Sequence, residues 1–210
     1  MPISFRRKPA PPTTRSIVVD GRQLRIDVRP GTGRRPPLLL VNGIGASLEL
    51  LQPFVDALDP ALEVIRFDAP GVGGSPLPGL PYRFTGLCRL LARLLSELGH
   101  DQADVLGISW GGGVAQHFAL SQRRRCRRLV LVATGTGSLM VPARPSVLAK
   151  MVTPRRYLDR GYLRRNAADL YGGSARSQPE HISELMCSGW LRAEPPYRLA
   201  ALSRRYRRSR

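Results

Sequence analysis

Apolar and polar positions repeat with two different periods along this chain, and the switches between them mark its elements. Ser16–Val28 carries two β-rich runs on either side of Asp20–Gly21, and the second run alternates apolar with polar side chains. That pattern predicts a hairpin closed by a two-residue turn. Leu38–Leu39–Leu40–Val41 is apolar throughout, as expected of a central strand covered on both faces. Glu63–Phe67, Ala103–Ile108 and Arg128–Ala133 read as further strands, the last of them buried. Between these runs the period becomes helical. Ser47–Leu58 predicts a short helix that Pro53 interrupts or restarts. Phe84–Leu98 places Leu87, Leu90, Leu91, Leu94, Leu95 and Leu98 on one face and stops at Gly99. Trp110–Leu120 follows the Ala103–Ile108 strand. Two leading strands and then alternating strands and helices predict an α/β fold with a mainly parallel sheet and helices on both faces. After Ser138 no buried strand run remains. Val147–Val152, Tyr157–Leu170 and His181–Cys187 predict short helices, so 141–187 reads as a helical cap.

The chemistry centres on Gly107–Ile108–Ser109–Trp110–Gly111, which sits where a strand passes into a helix. A serine on so sharp a turn needs neighbours without side chains, and Gly107 and Gly111 supply them as elbow support. The turn holds the Ser109 hydroxyl above the carboxyl end of the sheet, and the Trp110 N–H can help stabilise an oxyanion there. Asn42–Gly43–Ile44–Gly45 follows an earlier strand at the same end of the sheet. Its Gly-x-Gly has Leu48 where a dinucleotide fingerprint needs a third glycine. The alternative is a backbone N–H at Ile44 serving as a second oxyanion donor. Asp68–Ala69–Pro70–Gly71–Val72–Gly73–Gly74–Ser75 ends the next strand and reads either as a tight reversal or as a substrate loop.

Charge changes the picture less than its total suggests. The net charge is +18, but residues 38–141 carry only +1, against +7 for 1–37 and +10 for 142–210. Arg123–Arg124–Arg125 and Arg127–Arg128 form one cluster inside the body, read as solvated rather than as a phosphate patch. No signature of specific nucleic-acid binding accompanies it, although the basic ends could hold an anionic surface weakly. Cys88, Cys126 and Cys187 are few and unpatterned, which fits a reducing cytoplasm and neither a disulfide framework nor a metal site. The Arg- and Pro-rich start has no apolar signal core, and no apolar run reaches the ~20 residues of a membrane span. The expected organisation is a flexible basic arm over 1–14, an α/β core over 15–140, the cap over 141–187 and a basic tail over 188–210.

Several stretches together resemble the α/β-hydrolase family, and within it the intracellular depolymerases of medium-chain-length polyhydroxyalkanoate. They are LLLVNGIGASLELL from Leu38, LEVIRFDAPGVGGS from Leu62 and VLGISWGGGVAQ from Val105, with VPARPSVL from Val141, TPRRY from Thr153 and Tyr171–Gly173 in the cap. The resemblance implies a serine hydrolase that cleaves ester bonds of poly(3-hydroxyalkanoate), without cofactor or metal. Ser109 would be its nucleophile, and Ile44 and Trp110 its oxyanion-hole donors. It implies a cytoplasmic protein whose partner is a polyester or small ester substrate, associated with storage granules. The family's acid and base follow the cap, and no Asp or His of this chain can be matched to them. His117 lies about 12 Å along the helix after Ser109 at ~1.5 Å per residue. His100 precedes the elbow strand and belongs at the opposite end of the sheet. His181 is the remaining histidine and reads as an exposed cap residue. The likeness fades after Ser188 into an Arg-rich stretch, expected to be translation beyond a frameshift or premature junction in a longer hydrolase gene, the alternative being a natural short variant with a basic tail. These departures predict an impaired hydrolase, with the Leu129–Ala133 strand left as an unpaired apolar sheet edge open to association; the alternative is a non-catalytic fragment that binds granules or another hydrolase.

Overall fold

The computed structural model describes residues 13–33, 35–79, 81–135, 144–153 and 155–180. Six strands form one sheet: β1 (Thr13–Val19), β2 (Arg22–Arg29), β3 (Leu38–Val41), β4 (Val64–Phe67), β5 (Ala103–Ile108) and β6 (Cys126–Val132). Their order is β1-β2-β4-β3-β5-β6. β1 and β2 pair antiparallel through the Asp20–Gly21 turn, and β2 meets β4 antiparallel. β4, β3, β5 and β6 are parallel neighbours. β1 takes in Thr13 and Thr14, opposite Val28 and Asp27, so the hairpin reaches two residues into the stretch read as an arm.

The four-residue strand β3 is buried throughout, and its side chains divide between two cores. Leu39 and Val41 join Ile65, Phe67, Val105 and the helices α2 (Phe84–Glu97) and α3 (Trp110–Ser121) on one face. Leu38 and Leu40 meet Val64, Leu106, Leu51 and Val55 on the other. Successive strand residues point to opposite faces, so a continuous apolar run serves both layers. The leucine face of α2 is buried as its spacing predicts, and Gly99 closes that helix at φ +80°. The Ser47–Leu58 helix is split: a 3₁₀ turn over Leu48–Leu51 passes into α1 (Gln52–Ala57), with Pro53 in the first turn of α1. A missing N–H costs nothing at that position.

Two buried arginines fix this layer. Arg66 on β4 is 2% exposed and donates from Nε and Nη2 to Asp27 on β2, from Nη1 to the Leu48 carbonyl and from Nη2 to Gln52. Arg29 donates to the carbonyls of Val55, Asp59 and Leu62, gathering the end of α1 and the loop after it. Arg66 thereby has every guanidinium nitrogen engaged, whereas Arg29 keeps a buried Nε with no acceptor among the described residues, and burial lowers its pKa.

Two sequence expectations need correction. β6 runs from Cys126 to Val132 and is not buried: Leu129, Val130, Leu131 and Val132 are each 38–44% exposed. Among the described residues it pairs with β5 alone, which is the unpaired edge expected from the missing strands; only the reading of the run as buried is overturned. The helix expected over Tyr157–Leu170 is two helices, α5 (Arg155–Leu158) and α6 (Arg160–Tyr171). Asp159 divides them because its carboxylate accepts the Tyr162 N–H at 2.9 Å, an N-cap that starts a new helix. α4 (Pro145–Val152) and α6 pack Val147, Met151, Leu163 and Leu170 against Ala46 and Leu50, just beyond β3. The helix expected over His181–Cys187, and the tail, lie outside the described residues.

Candidate active site

Ser109 stands where the chain leaves β5 for α3, with φ +54° and ψ −119°. A non-glycine residue rarely adopts that backbone, which costs about 1–3 kcal/mol and persists only where the surroundings enforce it. Those surroundings can be named. A methyl group on Gly107 would lie 2.4 Å from the Gly111 carbonyl oxygen, and one on Gly111 would lie 2.1 Å from that of Val41. Both contacts are with backbone, so neither can relax cheaply. The Ser109 N–H donates to the Val132 carbonyl at 3.0 Å, which fastens the turn to β6. The result is a serine side chain that is exposed to solvent while its backbone is clamped from three sides.

The Asn42–Ser47 loop lies against this turn. A methyl built on Gly43 would sit 3.8 Å from Ser109 Cβ, so the two segments are in contact range. The loop is internally braced: Asn42 Nδ2 donates to the Ser47 carbonyl at 2.8 Å, the Gly43 N–H to Asn42 Oδ1 at 2.8 Å, and the Ala46 N–H to the Gly43 carbonyl at 3.2 Å. Ile44 stands at its tip with its side chain 53% exposed. Trp110 opens α3, where first-turn N–H groups have no intrahelical acceptor and carry the positive end of the helix dipole. Its ring meets Phe84 edge-on at 5.5 Å. The arrangement can present a hydroxyl beside backbone N–H donors, the geometry that acyl transfer requires.

Asp68 organises the loops behind it. Its buried carboxylate accepts N–H bonds from Leu48 and Gly74 at 2.8 Å each and pairs with Arg25 at 3.0 Å. Burial pushes this carboxyl up, against the pull of those three donors. Arg25 also reaches Glu49. Burial opposes ionisation of Glu49 too, but its bond to Arg25 prevails and holds its pKa at about 2. The Asp68–Ser75 loop thus has a definite structural duty, holding the start of the Leu48–Leu51 turn and hence the Ile44 loop.

The histidines are occupied elsewhere. His100 bonds Glu63 at 3.0 Å, at the end of the sheet opposite Ser109. His117 bonds Thr85 Oγ1 at 3.2 Å between α2 and α3. His181 lies outside the described residues. Burial pushes the Cys88 thiol up to about 11, which leaves Cys88 inert as a nucleophile at neutral pH.

Sequence reasoning missed three residues here. Gly112 is needed because a methyl there would lie 2.5 Å from the Thr134 side chain, and the Gly111–Gly112–Gly113 run was its only signal. Phe84 supports Trp110, and Arg156 on α5, 3% exposed, donates to the Ile44 carbonyl at 3.5 Å. Neither contact leaves a mark in local sequence, since 26 and 112 residues separate the partners.

Residues 36–209 match the model of the α/β-hydrolase fold family. The chain belongs to the α/β-hydrolase family. That match includes the basic tail that the sequence pattern sets apart. Among relatives of this chain, a poly(3-hydroxyalkanoate) depolymerase of Ectopseudomonas oleovorans is 49% identical over 185 residues, covering 86% of this chain and 65% of that protein. A pimeloyl-[acyl-carrier protein] methyl ester esterase of Aeromonas hydrophila is 28% identical over 172 residues, covering 81% and 66%. The chain thus spans just under two thirds of both relatives. The fold is shared with a 2-hydroxy-6-oxo-6-phenylhexa-2,4-dienoate hydrolase of Rhodococcus, at TM-score 0.70 and 18% identity over 89% of this chain and 68% of that one. No helix of the described residues is long and apolar enough to cross a membrane.

Proposed function

We propose that this chain carries the nucleophile half of a serine esterase acting on ester bonds of the poly(3-hydroxyalkanoate) type. The observation that carries the reading is the Ser109 elbow: an exposed hydroxyl on a strained, clamped backbone beside the Ile44 loop. The 49% identity to a poly(3-hydroxyalkanoate) depolymerase supports the substrate class. In this reading Ser109 Oγ attacks the ester carbonyl carbon, and the N–H groups of Trp110 and Ile44 receive the charge that develops on the carbonyl oxygen. The alcohol then departs with a proton, and water cleaves the acyl-serine to free the acid. Gly107 and Gly111 hold the turn. In this reading residues 15–140 are the hydrolase core, 141–187 a cap, and 1–14 and 188–210 basic flanks. The protein works in the cytoplasm, at the surface of storage granules.

Among the described residues no histidine stands beside Ser109 as its base. With His100 bonded to Glu63 and His117 to Thr85, neither faces the serine proton. Loss of a triad base costs on the order of 10⁶ in kcat and leaves about 10³–10⁴ over water from the oxyanion hole and binding. Initial rates on p-nitrophenyl octanoate test this. The chain and its Ser109→Ala variant are expected to hydrolyse the ester at similar low rates above buffer. A rate at least a hundredfold higher with the serine would show that a complete triad assembles. No rate above buffer would favour a second reading, a non-catalytic polyester-binding fragment, which the engagement of both histidines supports.

A further inference from the structure

We infer that the end of the sheet opposite Ser109 holds a binding site for a dianionic phosphate group. Three loops converge there, each entering one of three adjacent parallel strands. Arg35–Pro37 leads into β3, His100–Gln102 into β5, and Arg124–Arg125 into β6. Together they line an open concavity of about 690 Å³. The six residues of β5 separate it from Ser109 by about 20 Å at ~3.4 Å per residue. It is therefore distinct from the elbow, and it lies at the end of an α/β sheet where ligands are not the rule.

Hydrogen bonds hold the loop backbones in place. The Asp104 N–H donates to the Pro37 carbonyl and the Ala103 N–H to the Arg125 carbonyl, both at 2.9 Å. Gln102 Nε2 donates to the Arg124 carbonyl at 2.9 Å. Arg125 is tied down by bonds to the His100 carbonyl at 3.1 Å and Ser96 Oγ at 2.7 Å. Charge then selects the ligand. Arg35, Arg124 and Arg125 face the concavity against one carboxylate, Asp101, while the Glu63 carboxylate is taken by His100 and that of Asp104 by Arg127. Among the described residues neither Arg35 nor Arg124 has an ion-pair partner. The lining thus carries an excess of two positive charges. A monocarboxylate would neutralise half of it, whereas a phosphate dianion neutralises it all and matches the forked geometry of guanidinium donors. The phosphate can be the free ion or the terminus of a larger molecule, for which the concavity has room. The arginine run that sequence alone reads as solvated acquires a partner only because Arg35 arrives from another loop.

Isothermal titration of the full chain with inorganic phosphate, AMP and acetate tests the site, since none of these probes depends on Ser109. Phosphate or AMP is expected to bind saturably at millimolar concentration or below, and more weakly as salt is raised. The Arg35→Ala/Arg124→Ala double variant should bind at least about tenfold more weakly, and Asp101→Asn several-fold more tightly. AMP binding more tightly than phosphate assigns the site to phosphate esters; equal affinity assigns it to the free ion. Both altered arginines are exposed, and circular dichroism checks that the double variant is folded. The inference fails if neither phosphate nor AMP saturates, if the double variant binds within twofold of the parent, or if acetate binds as tightly as phosphate. It also fails if a single-stranded oligonucleotide binds through these arginines while phosphate and AMP do not.

Discussion

β5 and β6 lie side by side in parallel register from Ala103 opposite Cys126 to Ile108 opposite Val132, and both are apolar in their later halves. Their surroundings could hardly differ more. β5 has β3 on its other side, helix α3 packed over it, and Val105 and Leu106 buried. Among the described residues β6 has a neighbour on one side only, and four consecutive apolar residues at its end are exposed. An apolar run therefore reports what a strand can bury, and its place in the sheet decides what it does bury. An exposed apolar edge is a site for association, whereas a strand fixed on both sides can hold a strained turn at its end.

Substitutions can break this contrast, and the largest effect belongs to the elbow. Gly111→Ala places a methyl group 2.1 Å from the Val41 carbonyl oxygen, so the loss of stability should exceed about 4 kcal/mol or prevent folding. Chemical denaturation measures it, and a loss below about 1 kcal/mol would mean that the elbow is not clamped against β3. Leu106→Ala on β5 empties a buried site and should cost about 2–5 kcal/mol in the same assay.

The contrast extends to ion pairs. Glu49, half-buried against Arg25, has its pKa depressed to about 2 from the usual 4.5 of a glutamate. Its contribution is complete above pH about 4.5 and is lost as pH falls toward 2. Glu49→Gln should therefore lower stability at neutral pH and converge with the parent in acid. Asp169→Asn, which removes an exposed partner of Lys150, should change little at neutral pH. The smallest effect is expected for Leu131→Ala on β6, within about 0.5 kcal/mol. A cost comparable to that of Leu106→Ala would show that the β6 surface is covered in solution.

Local pattern carried much of this architecture. The Asp20–Gly21 hairpin, the leucine-lined face of α2 and the strand–Ser109–helix junction are each specified by residues close in sequence, where period and turn chemistry act. The restart at Pro53 was legible for the same reason. What escaped was set by partners far apart in the chain. Nothing beside Arg66 announces Asp27, 39 residues away, as its carboxylate. From their own apolar character Val130 and Leu131 read as buried; their exposure was legible only through the strands that the resemblance expects beyond β6 and that the described residues do not supply. Asp159 is the intermediate case: an N-cap is a local signal, but a continuous helical period on both sides of it masked the break.

The central claim is that Ser109 is a nucleophile set beside oxyanion donors, and covalent labelling tests it most directly. The full chain would be exposed for a long period to a fluorophosphonate, followed by intact-mass analysis and peptide mapping. The oxyanion site should make Ser109 the preferred serine even without an adjacent base. A single adduct mapped to Ser109, and absent from Ser109→Ala, is the expected result. An adduct confined to other residues, or none at Ser109 while the protein remains folded, would contradict the claim.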